Sequence, residues 1–409
     1  MTERLFETQS HMSLFHANVL ECEKEKNIYK IVLDKTTFFP EGGGQKGDVG
    51  YITLGNVDKE DFFRLVTEES GEEKTVLASG VVNVSDTQEK NGIIYHFCDA
   101  PLEVGVNVTG LVDFDIRFPR MQNHTGEHIV SGIINRYFGF DNVGFHMGSE
   151  DVTLDINGTL TKEQLDFVEL EANKAVVLNV PVFAEVFSGE ALSSLNYRSK
   201  LDLTENVRIV TVEGYDKCAC CAPHVNRTGE IGIIKLLGFM NYKQGIRIHM
   251  LCGFDAIKDY EAKLSQTKAS SALLSAKPNE LALGIERLLE ENKKEKQQSN
   301  DLKNIIASLM LEKAKETGKK CLFTEINDPV FLRYLATGGA DLFGVCGAFC
   351  QVSEANYRYV AVSKERDMRA FAKEMNSALN GRGGGDNELV QGSVKAYMGD
   401  IEAFFENVK

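Results

Sequence analysis

The sequence has no run of about 18 apolar residues, and this absence excludes a conventional membrane-spanning helix. The N-terminal segment 1–6 lacks the charged-then-apolar plan of a secretory signal peptide. These two absences predict a cytoplasmic protein that has no membrane partner. Positive charge is also scarce, because 45 Lys and Arg face 60 Asp and Glu, for a net charge of −15. This negative net charge argues against binding of nucleic acid over a broad basic surface. A local basic groove is still compatible with the net charge.

The chain contains nine cysteines, and the predicted cytoplasmic location argues against a disulfide framework among them. Three of them crowd into one short stretch as Cys218, Cys220 and Cys221. The cysteines are therefore interpreted as metal ligands or buried thiols. A redox pair formed by Cys218 and Cys221 is an alternative, but the expected βαβ setting is missing.

The length of 409 residues predicts two or three domains in an α+β protein. Residues 1–110 contain an alternating strand pattern at 28–33 and frequent glycines, which predict a small β-barrel domain. Residues 111–255 contain both helical and strand patterns. They predict a helix with Pro119 in its first turn and Gly139 past its end, and a strand over 207–212. This second region is expected to be an α+β domain.

Residues 256–318 are predicted to be a charged, helical linker with a heptad spacing. The seam consists of Leu281, Ile285, Leu288, Asn292, Glu295, Ser299, Leu302, Ile306 and Leu309. Its polar centre leaves two interpretations equally open, a solvated linker helix and a self-association seam.

Residues 319–409 are expected to be a compact C-terminal α/β domain. The apolar segments 342–346 and 359–362 are predicted to be buried strands. Helical patterns follow these strands. A glycine-rich stretch, 381–385, is expected to form a loop that interrupts them.

The first chemical motif is the segment 124–128, His-Thr-Gly-Glu-His, within the predicted helix. His124 and His128 are four residues apart, so both project from one helix face and could reach one metal ion. A pair of this kind is a weak signal by itself, since most such pairs are ordinary surface residues.

The second motif is the segment 218–224, Cys-Ala-Cys-Cys-Ala-Pro-His, which follows the predicted strand 207–212. Cys220 and His224 are both good zinc ligands, and they would complete a tetrahedral set with His124 and His128. Three cysteines and a histidine within seven residues argue against thiols that are merely buried.

The third motif is the segment 36–45, Thr-Thr-Phe-Phe-Pro-Glu-Gly-Gly-Gly-Gln. Its three glycines let the backbone approach a ligand closely or adopt positive φ. Taken by itself, this stretch is better interpreted as an ordinary hairpin turn.

Together these motifs resemble the editing domain of alanyl-tRNA synthetase and its free-standing AlaX-type relatives. That family combines a Thr-x-Phe-Tyr-Pro-Glu-Gly-Gly-Gly-Gln segment, a His-Thr-x-x-His helix and a Cys-x-x-x-His turn followed by Thr-Gly-Glu-Ile-Gly, here 228–232. Two departures stand out: Phe39 replaces the tyrosine, and 220–224 replaces the usual Cys-Gly-Gly-Thr-His while keeping both ligand types and their spacing.

The resemblance extends through the segment 379–392 to the glycine-rich C-terminal domain of the synthetase, as in the long AlaX form. It implies a zinc-dependent trans-editing enzyme that deacylates alanine tRNA mischarged with serine or glycine. It also implies tRNA as partner and a homodimer formed through the helix 281–309 and the C-terminal domain. Because the barrel starts near residue 1, no room is expected for the adenylate-forming domain, so the protein should not charge tRNA.

The resemblance also implies roles for individual residues. Thr36 and Gln45 are expected to recognise the hydroxyl of a serine substrate, and Glu127 is a candidate general base or a partner to a histidine ligand. The candidate tRNA-binding residues of the C-terminal domain are Arg366, Arg369, Lys373, Arg382, Gly383 and Gly384.

Two rival functions remain. The segment 124–128 also matches the inverted zinc-protease motif His-x-x-Glu-His, but that hypothesis leaves Cys220 and His224 unexplained. A catalytically silent tRNA-binding protein with a structural zinc is harder to dismiss, because four protein ligands usually mean a closed metal site.

Overall fold

The computed structural model describes residues 2–62, 80–148, 150–199 and 204–408. Its contacts divide the chain into two compact units, Met1–Gln266 and Thr267–Lys409. The predicted α+β class is confirmed, with a closed barrel in the first unit and mixed sheets and helices in both. Within the described ranges, no helix has the length and apolar character that crossing a membrane requires.

The first part of unit 1 is an antiparallel six-stranded barrel in the order β2-β3-β7-β6-β5-β8. Its strands, with the short pair β1 and β4, are β1 (Glu3–Arg4), β2 (Leu14–Glu25), β3 (Ile28–Leu33), β4 (Lys35–Thr36), β5 (Gly50–Leu54), β6 (Val81–Lys90), β7 (Ile93–Cys98) and β8 (Asn107–Val112). The strand predicted at 28–33 is β3. Asn91 and Gly92 both adopt positive φ between β6 and β7, the conformation that a two-residue hairpin turn demands.

The second part of unit 1 packs its helices against two antiparallel sheets, ordered β14-β15-β10-β9 and β11-β12-β13. Its helices are α1 (Phe114–Phe138), α2 (Lys162–Leu178), α3 (Gly189–Ser193) and the first part of α4 (Gly253–Leu274), within which the boundary between the units falls. Its strands are β9 (Asn142–Met147), β10 (Val152–Ile156), β11 (Val182–Phe187), β12 (Val207–Val212), β13 (Asp216–Ala219), β14 (Ile234–Tyr242) and β15 (Gly245–Cys252). The strand predicted at 207–212 is β12.

Helix α1 ends at the predicted Gly139 but begins at Phe114, so Pro119 lies in its second turn and the prediction that it lies in the first was wrong. The Asp113 carboxylate accepts from the backbone N–H groups of Asp115 and Ile116, which caps the first turn. Pro119 lies near the start of the helix, and Gly139 ends it in the left-handed conformation at φ 70°. The helix is therefore a rigid element that carries the 124–128 motif through the core.

Unit 2 contains α5 (Leu281–Thr317), the helix predicted for the linker region, and a five-stranded sheet ordered β16-β17-β18-β20-β19. Its strands are β16 (Cys321–Thr324), β17 (Val345–Ser353), β18 (Asn356–Ser363), β19 (Arg382–Gly385) and β20 (Leu389–Val394). Its other helices are α6 (Pro329–Phe343), α7 (Met368–Ala378) and α8 (Met398–Glu406). Only the β16–β17 pair among these described strands is parallel.

Two local predictions in unit 2 were wrong. Leu342 and Phe343 end α6, and β17 begins only at Val345, because Gly344 turns the chain at φ 75°. The glycine-rich stretch is not a loop, since Arg382–Gly385 pairs with β20 as an exposed edge strand. The seam residues Leu288 and Leu302 on α5 are 53% and 60% exposed, and self-association through them stays a prediction.

A buried ion pair joins the barrel to α1. Arg117 is completely buried and Asp48 is 1% exposed. The guanidinium Nε donates to Asp48 Oδ2 at 2.8 Å, and its other nitrogens donate to the carbonyls of Ser10 and Thr37. The same Asp48 oxygen accepts from the backbone N–H of Phe39 at 2.6 Å. These bonds hold the segment 36–48 against the start of the helix that carries the histidines.

Breaking this pair should loosen both segments that it joins. We expect Asp48→Asn to destabilise unit 1 by about 3 kcal/mol, because removing one partner leaves a buried guanidinium charge unpaired. Hydrogen-exchange mass spectrometry should show faster exchange in peptides covering 36–48 and 114–138. Asp166→Asn, which removes the exposed Lys162–Asp166 pair, is the control and should change nothing measurable. Equal protection in Asp48→Asn and wild type would contradict this role.

Candidate metal centre

Helix α1 presents two buried histidines to one point. His124 and His128 are 3% and 2% exposed, and their ring centroids are 5.4 Å apart. Their spacing of four residues places them on one helix face. The interior position distinguishes them from the ordinary surface pair that this spacing usually represents.

The turn after β13 brings the other two predicted ligands to the same point. Ligand atoms of His124, His128, Cys220 and His224 all lie within 4.8 Å of one another. Cys220 Sγ is 3.5 Å from His124 Nε2 and 3.4 Å from His224 Nε2. The structure thus gathers four side chains that are separated by up to 100 positions in the sequence.

The spacing of these atoms fits a tetrahedral zinc ion. With Zn–N of 2.0–2.1 Å and Zn–S of about 2.3 Å, a tetrahedral site places nitrogen and sulfur ligands about 3.5 Å apart. The two measured nitrogen–sulfur distances match that edge. Imidazole and thiolate are also the donors that zinc prefers.

Three different acceptors turn the histidine rings toward this point. Gln45 Oε1 lies 3.0 Å from His124 Nδ1, and the Thr125 hydroxyl, which donates to Met121 O, lies 3.0 Å from His224 Nδ1. Asp216 Oδ2 lies 3.1 Å from His128 Nδ1. Because the Nδ1 atoms of His124 and His224 are engaged in hydrogen bonds, and His128 Nδ1 lies beside a carboxylate without an aligned hydrogen bond, the Nε2 atoms are left as the ligating nitrogens.

The surrounding charges favour the ligating forms of Cys220 and His224. Burial lowers the pKa of His224 to about 3, so this imidazole is neutral at pH 7. Burial opposes ionisation of Cys220, but the neighbouring His124 and His224 hold the pKa of its thiol well below the usual range. Burial disfavours the charged form of His128, but the neighbouring Asp216 and Cys220 raise its pKa above the usual value. A metal ion bound here must displace that proton.

The two neighbouring cysteines lie in different surroundings. The thiol of Cys218 forms a second group with His128 and Asp216, and burial raises its pKa to about 11. Cys221 is exposed, and its sulfur is close to the backbone of Gly42 and Gly43. Cys220 is therefore the thiol of this stretch that the four-residue group contains.

The glycine-rich motif reaches the same centre through Gly44 and Gln45. A Cβ on Gly44 would lie 2.4 Å from the Phe145 carbonyl oxygen, so only glycine allows β9 this close. The Phe145 ring in turn stacks on His124 at a centroid distance of 4.8 Å. The Gln45 side chain is completely buried, and its Nε2 has no hydrogen-bond partner among the described residues. This nitrogen is a free donor beside the cluster.

Thr36 faces the barrel interior. Its hydroxyl lies 2.8 Å from His96 Nε2 and accepts from the backbone N–H of Phe38. His96 Nδ1 faces the Ile31 carbonyl, and burial lowers the pKa of His96 to about 4, so its Nε2 is the acceptor. The Thr36 hydroxyl proton is therefore already engaged.

Glu127 is a buried carboxylate beside the cluster. Its Oε1 accepts from Ser131 and Asn142, and its Oε2 is 4.0 Å from His128 Nε2. One oxygen is thus anchored while the other borders the ligating nitrogens.

Sequence reasoning did not find the supporting residues Thr125, Ser131, Asn142 and Asp216. Thr125 and Ser131 lie on α1 beside the named ligands, so helical spacing was an available signal. Asn142 and Asp216 come from strands, and only the packing of β9 and β13 on α1 reveals them.

The candidate tRNA-binding residues are in unit 2. Arg369 and Lys373 are exposed and one turn apart on α7, and Arg366 precedes that helix and pairs with Glu374 at 2.8 Å. Arg382, Gly383 and Gly384 lie on the exposed edge strand β19, which packs beside α7. Five of the six lie in two neighbouring elements of one unit, and Arg366 lies just before α7.

Comparison with known proteins supports the resemblance that the sequence motifs indicated. The family described as "Threonyl and Alanyl tRNA synthetase second additional domain" matches residues 207–249, which include Cys220 and His224. The chain is 29% identical to the alanyl-tRNA editing protein AlaX-L of Pyrococcus horikoshii, over 98% of this chain and 96% of that protein.

It is also 26% identical to the alanine–tRNA ligase of Archaeoglobus fulgidus and 27% identical to that of Pyrococcus abyssi, over 97% and 100% of this chain. The chain spans only 42% and 43% of the length of these two ligases. The resemblance to the long AlaX-type editing proteins is therefore confirmed by similarity along almost the whole chain.

Proposed function

We propose that this protein is a zinc-dependent trans-editing hydrolase that deacylates alanine tRNA mischarged with serine or glycine. The observation that carries the proposal is the convergence of three imidazoles and one thiol, at tetrahedral spacing, beside the motif 36–45. The similarity to an editing protein over nearly the whole chain supports this substrate class.

In this proposal, His124, His128, Cys220 and His224 hold one zinc ion. When bound, zinc supplies positive charge that orients the amino or terminal ribose group of the substrate. An aminoacyl ester is already reactive, so correct placement of water and modest charge stabilisation suffice for its hydrolysis.

Glu127 is the candidate general base of this hydrolysis. Its anchored Oε1 fixes the carboxylate, and Oε2 takes a proton from the attacking water. The water oxygen bonds to the acyl carbon, the ester C–O bond breaks, and the ribose oxygen leaves with a proton. The products are the free amino acid and uncharged tRNA.

Selection of serine over alanine requires recognition of a hydroxyl, since serine is the larger residue and size exclusion would favour alanine. Gln45 supports this role, because its buried Nε2 lacks a partner among the described residues and can donate to the hydroxyl of a serine substrate. Thr36 stays a prediction for the same role. Its hydroxyl would first have to give up its bond to His96.

The basic residues around α7 and β19 are proposed to contact tRNA phosphates, with Gly383 and Gly384 allowing close backbone approach. The homodimer, the cytoplasmic location and the absence of charging activity stay predictions. The alternative of a catalytically silent tRNA-binding protein draws on the same cluster, because a site with four protein ligands is typical of structural zinc.

Metal analysis tests the centre directly. We expect one zinc ion per wild-type chain and a large loss in Cys220→Ala, because a ligand is removed. Cys221→Ala is the matched control and should retain zinc. Glu127→Gln should also retain zinc, since Glu127 is not among the four ligands. Equal zinc in the Cys220→Ala and wild-type proteins would point to Cys218 or Cys221 instead.

Deacylation assays test the reaction and its selectivity. We expect the wild type to hydrolyse Ser- or Gly-charged alanine tRNA faster than Ala-charged tRNA. Glu127→Gln should be slower by roughly 10²-fold, the lower range for loss of a general base. Gln45→Ala should lower the Ser-to-Ala rate ratio about tenfold or more, and Thr36→Val should lower it less.

Two outcomes would overturn these assignments. An unchanged Ser-to-Ala ratio in both selectivity variants would remove Gln45 and Thr36 from hydroxyl recognition. Absence of deacylation by a zinc-loaded wild-type protein would favour the silent tRNA-binding function.

Salt-dependent binding tests the tRNA surface. We expect the double variant Arg369→Ala/Lys373→Ala to bind tRNA more weakly, with the slope of log K against log salt reduced by about 1 to 2. The double variant Lys293→Ala/Lys296→Ala changes the net charge equally on exposed positions of α5 and should bind normally. Identical slopes in both variants would place the tRNA contacts elsewhere.

A further inference from the structure

The buried Asp216 carboxylate lies behind the ligand His128. Its Oδ2 is 3.1 Å from His128 Nδ1, on the side of the ring opposite the ligating Nε2. This contact is a close ion-pair approach without hydrogen-bond alignment, and His128 Nδ1 has no hydrogen-bond partner among the described residues. The same carboxyl group is paired with Arg198 on its other side.

Arg198 forms a bidentate ion pair with that carboxylate. Its Nε donates to Asp216 Oδ1 at 2.7 Å and its Nη2 donates to Oδ2 at 2.8 Å. The backbone of Arg198 is also tied to β13, because its N–H donates to the Lys217 carbonyl and its carbonyl accepts from the Ala219 N–H. A bidentate pair with both partners fixed in position leaves the carboxylate little freedom to rotate.

A glycine in α1 permits this arrangement. Gly132 is one helical turn beyond His128, and a Cβ there would lie 2.5 Å from the Tyr215 carbonyl oxygen and 2.9 Å from Asp216 Cβ. Glycine within a helix costs about 1 kcal/mol relative to alanine. Its presence at this contact lets β13 approach α1 closely enough for Asp216 to reach His128.

We propose that Arg198 is a positioning residue for the metal centre, which acts through Asp216 to hold His128 in the ligating orientation. This inference rests on the zinc site of the proposed function. An acceptor on Nδ1 selects the tautomer with a free Nε2 and makes that nitrogen a stronger ligand, and the guanidinium keeps the acceptor in place. Arg198 is not among the four residues that would hold the metal.

A cavity beside Arg198 makes the proposal open to chemical rescue. It has a volume of about 270 Å³ and is lined by Asn135, Arg136, Tyr197, Arg198, Asp216 and Lys217, among others. Truncation of Arg198 would extend this space up to the Asp216 carboxylate. A free guanidinium ion entering it would occupy the position of the lost side chain.

The experiment measures zinc affinity of the full chain by chelator competition, without a deacylation assay. We expect Asp216→Ala to weaken zinc binding by about 10- to 100-fold, the usual range for loss of such a partner. Arg198→Ala should weaken it about tenfold, and millimolar guanidinium should restore most of that affinity. In an Asp216→Ala background, Arg198→Ala should have no further effect, because its action passes through the carboxylate.

Arg247→Ala is the matched control. Arg247 forms an equally short bidentate pair with Asp155 at 2.6 and 2.8 Å, and neither residue contacts the four ligands. Its loss should leave zinc affinity unchanged. If Arg198→Ala fails to fold, Arg198→Lys replaces it in the test. Lysine keeps the positive charge but cannot form the bidentate contact with Asp216, so this variant should bind zinc several-fold more weakly than wild type.

Unchanged zinc affinity in folded Arg198 variants would overturn the proposal. So would additive losses in the Arg198→Ala/Asp216→Ala double variant, or an equal loss in Arg247→Ala. Failure of the proposed function would give a different result. The zinc affinities would still follow the expected pattern, but neither the wild type nor any variant would deacylate tRNA in the separate deacylation assay.

Discussion

The buried pair of Arg117 and Asp48 is the contact on which the rest of unit 1 depends. It lies at the point where the chain leaves the barrel and meets α1, and it satisfies the backbone of both Thr37 and Phe39. Two buried charges are costly to desolvate, so the pair is stable only while every partner is present. Together with the contact between Gln45 and His124, this pair therefore positions the motif 36–45 relative to the histidine helix.

That position matters because the metal centre is assembled from three distant segments. The helix contributes two imidazoles, the turn after β13 contributes a thiol and an imidazole, and the glycine-rich motif contributes Gln45 as the partner of His124. Each histidine faces a different acceptor, so three independent contacts determine the ring orientations. A displacement of any one segment would therefore change the positions of the ligand atoms.

The acidic composition and the proposed tRNA substrate are compatible on physical grounds. A net charge of −15 describes the whole chain, whereas binding depends on the few cations that meet phosphates. The exposed Arg369 and Lys373 on α7 and Arg382 on β19 supply such a local group within unit 2. An otherwise acidic surface also disfavours non-specific contacts with nucleic acid.

Sequence patterns alone were sufficient to identify the barrel strand 28–33, the C-terminal end of α1 at Gly139 and the four side chains that gather at the centre. These features depend on local periodicity, capping and short ligand spacings, which a linear pattern records. Local reasoning was wrong at Gly344, and it interpreted Arg382–Gly385 as a loop, because only pairing with β20 makes that stretch a strand. Tertiary structure alone decided that Asp216 and Arg198 lie behind His128. Packing of β13 on α1 creates that contact between segments about 70 to 90 positions apart, and no local pattern encodes it.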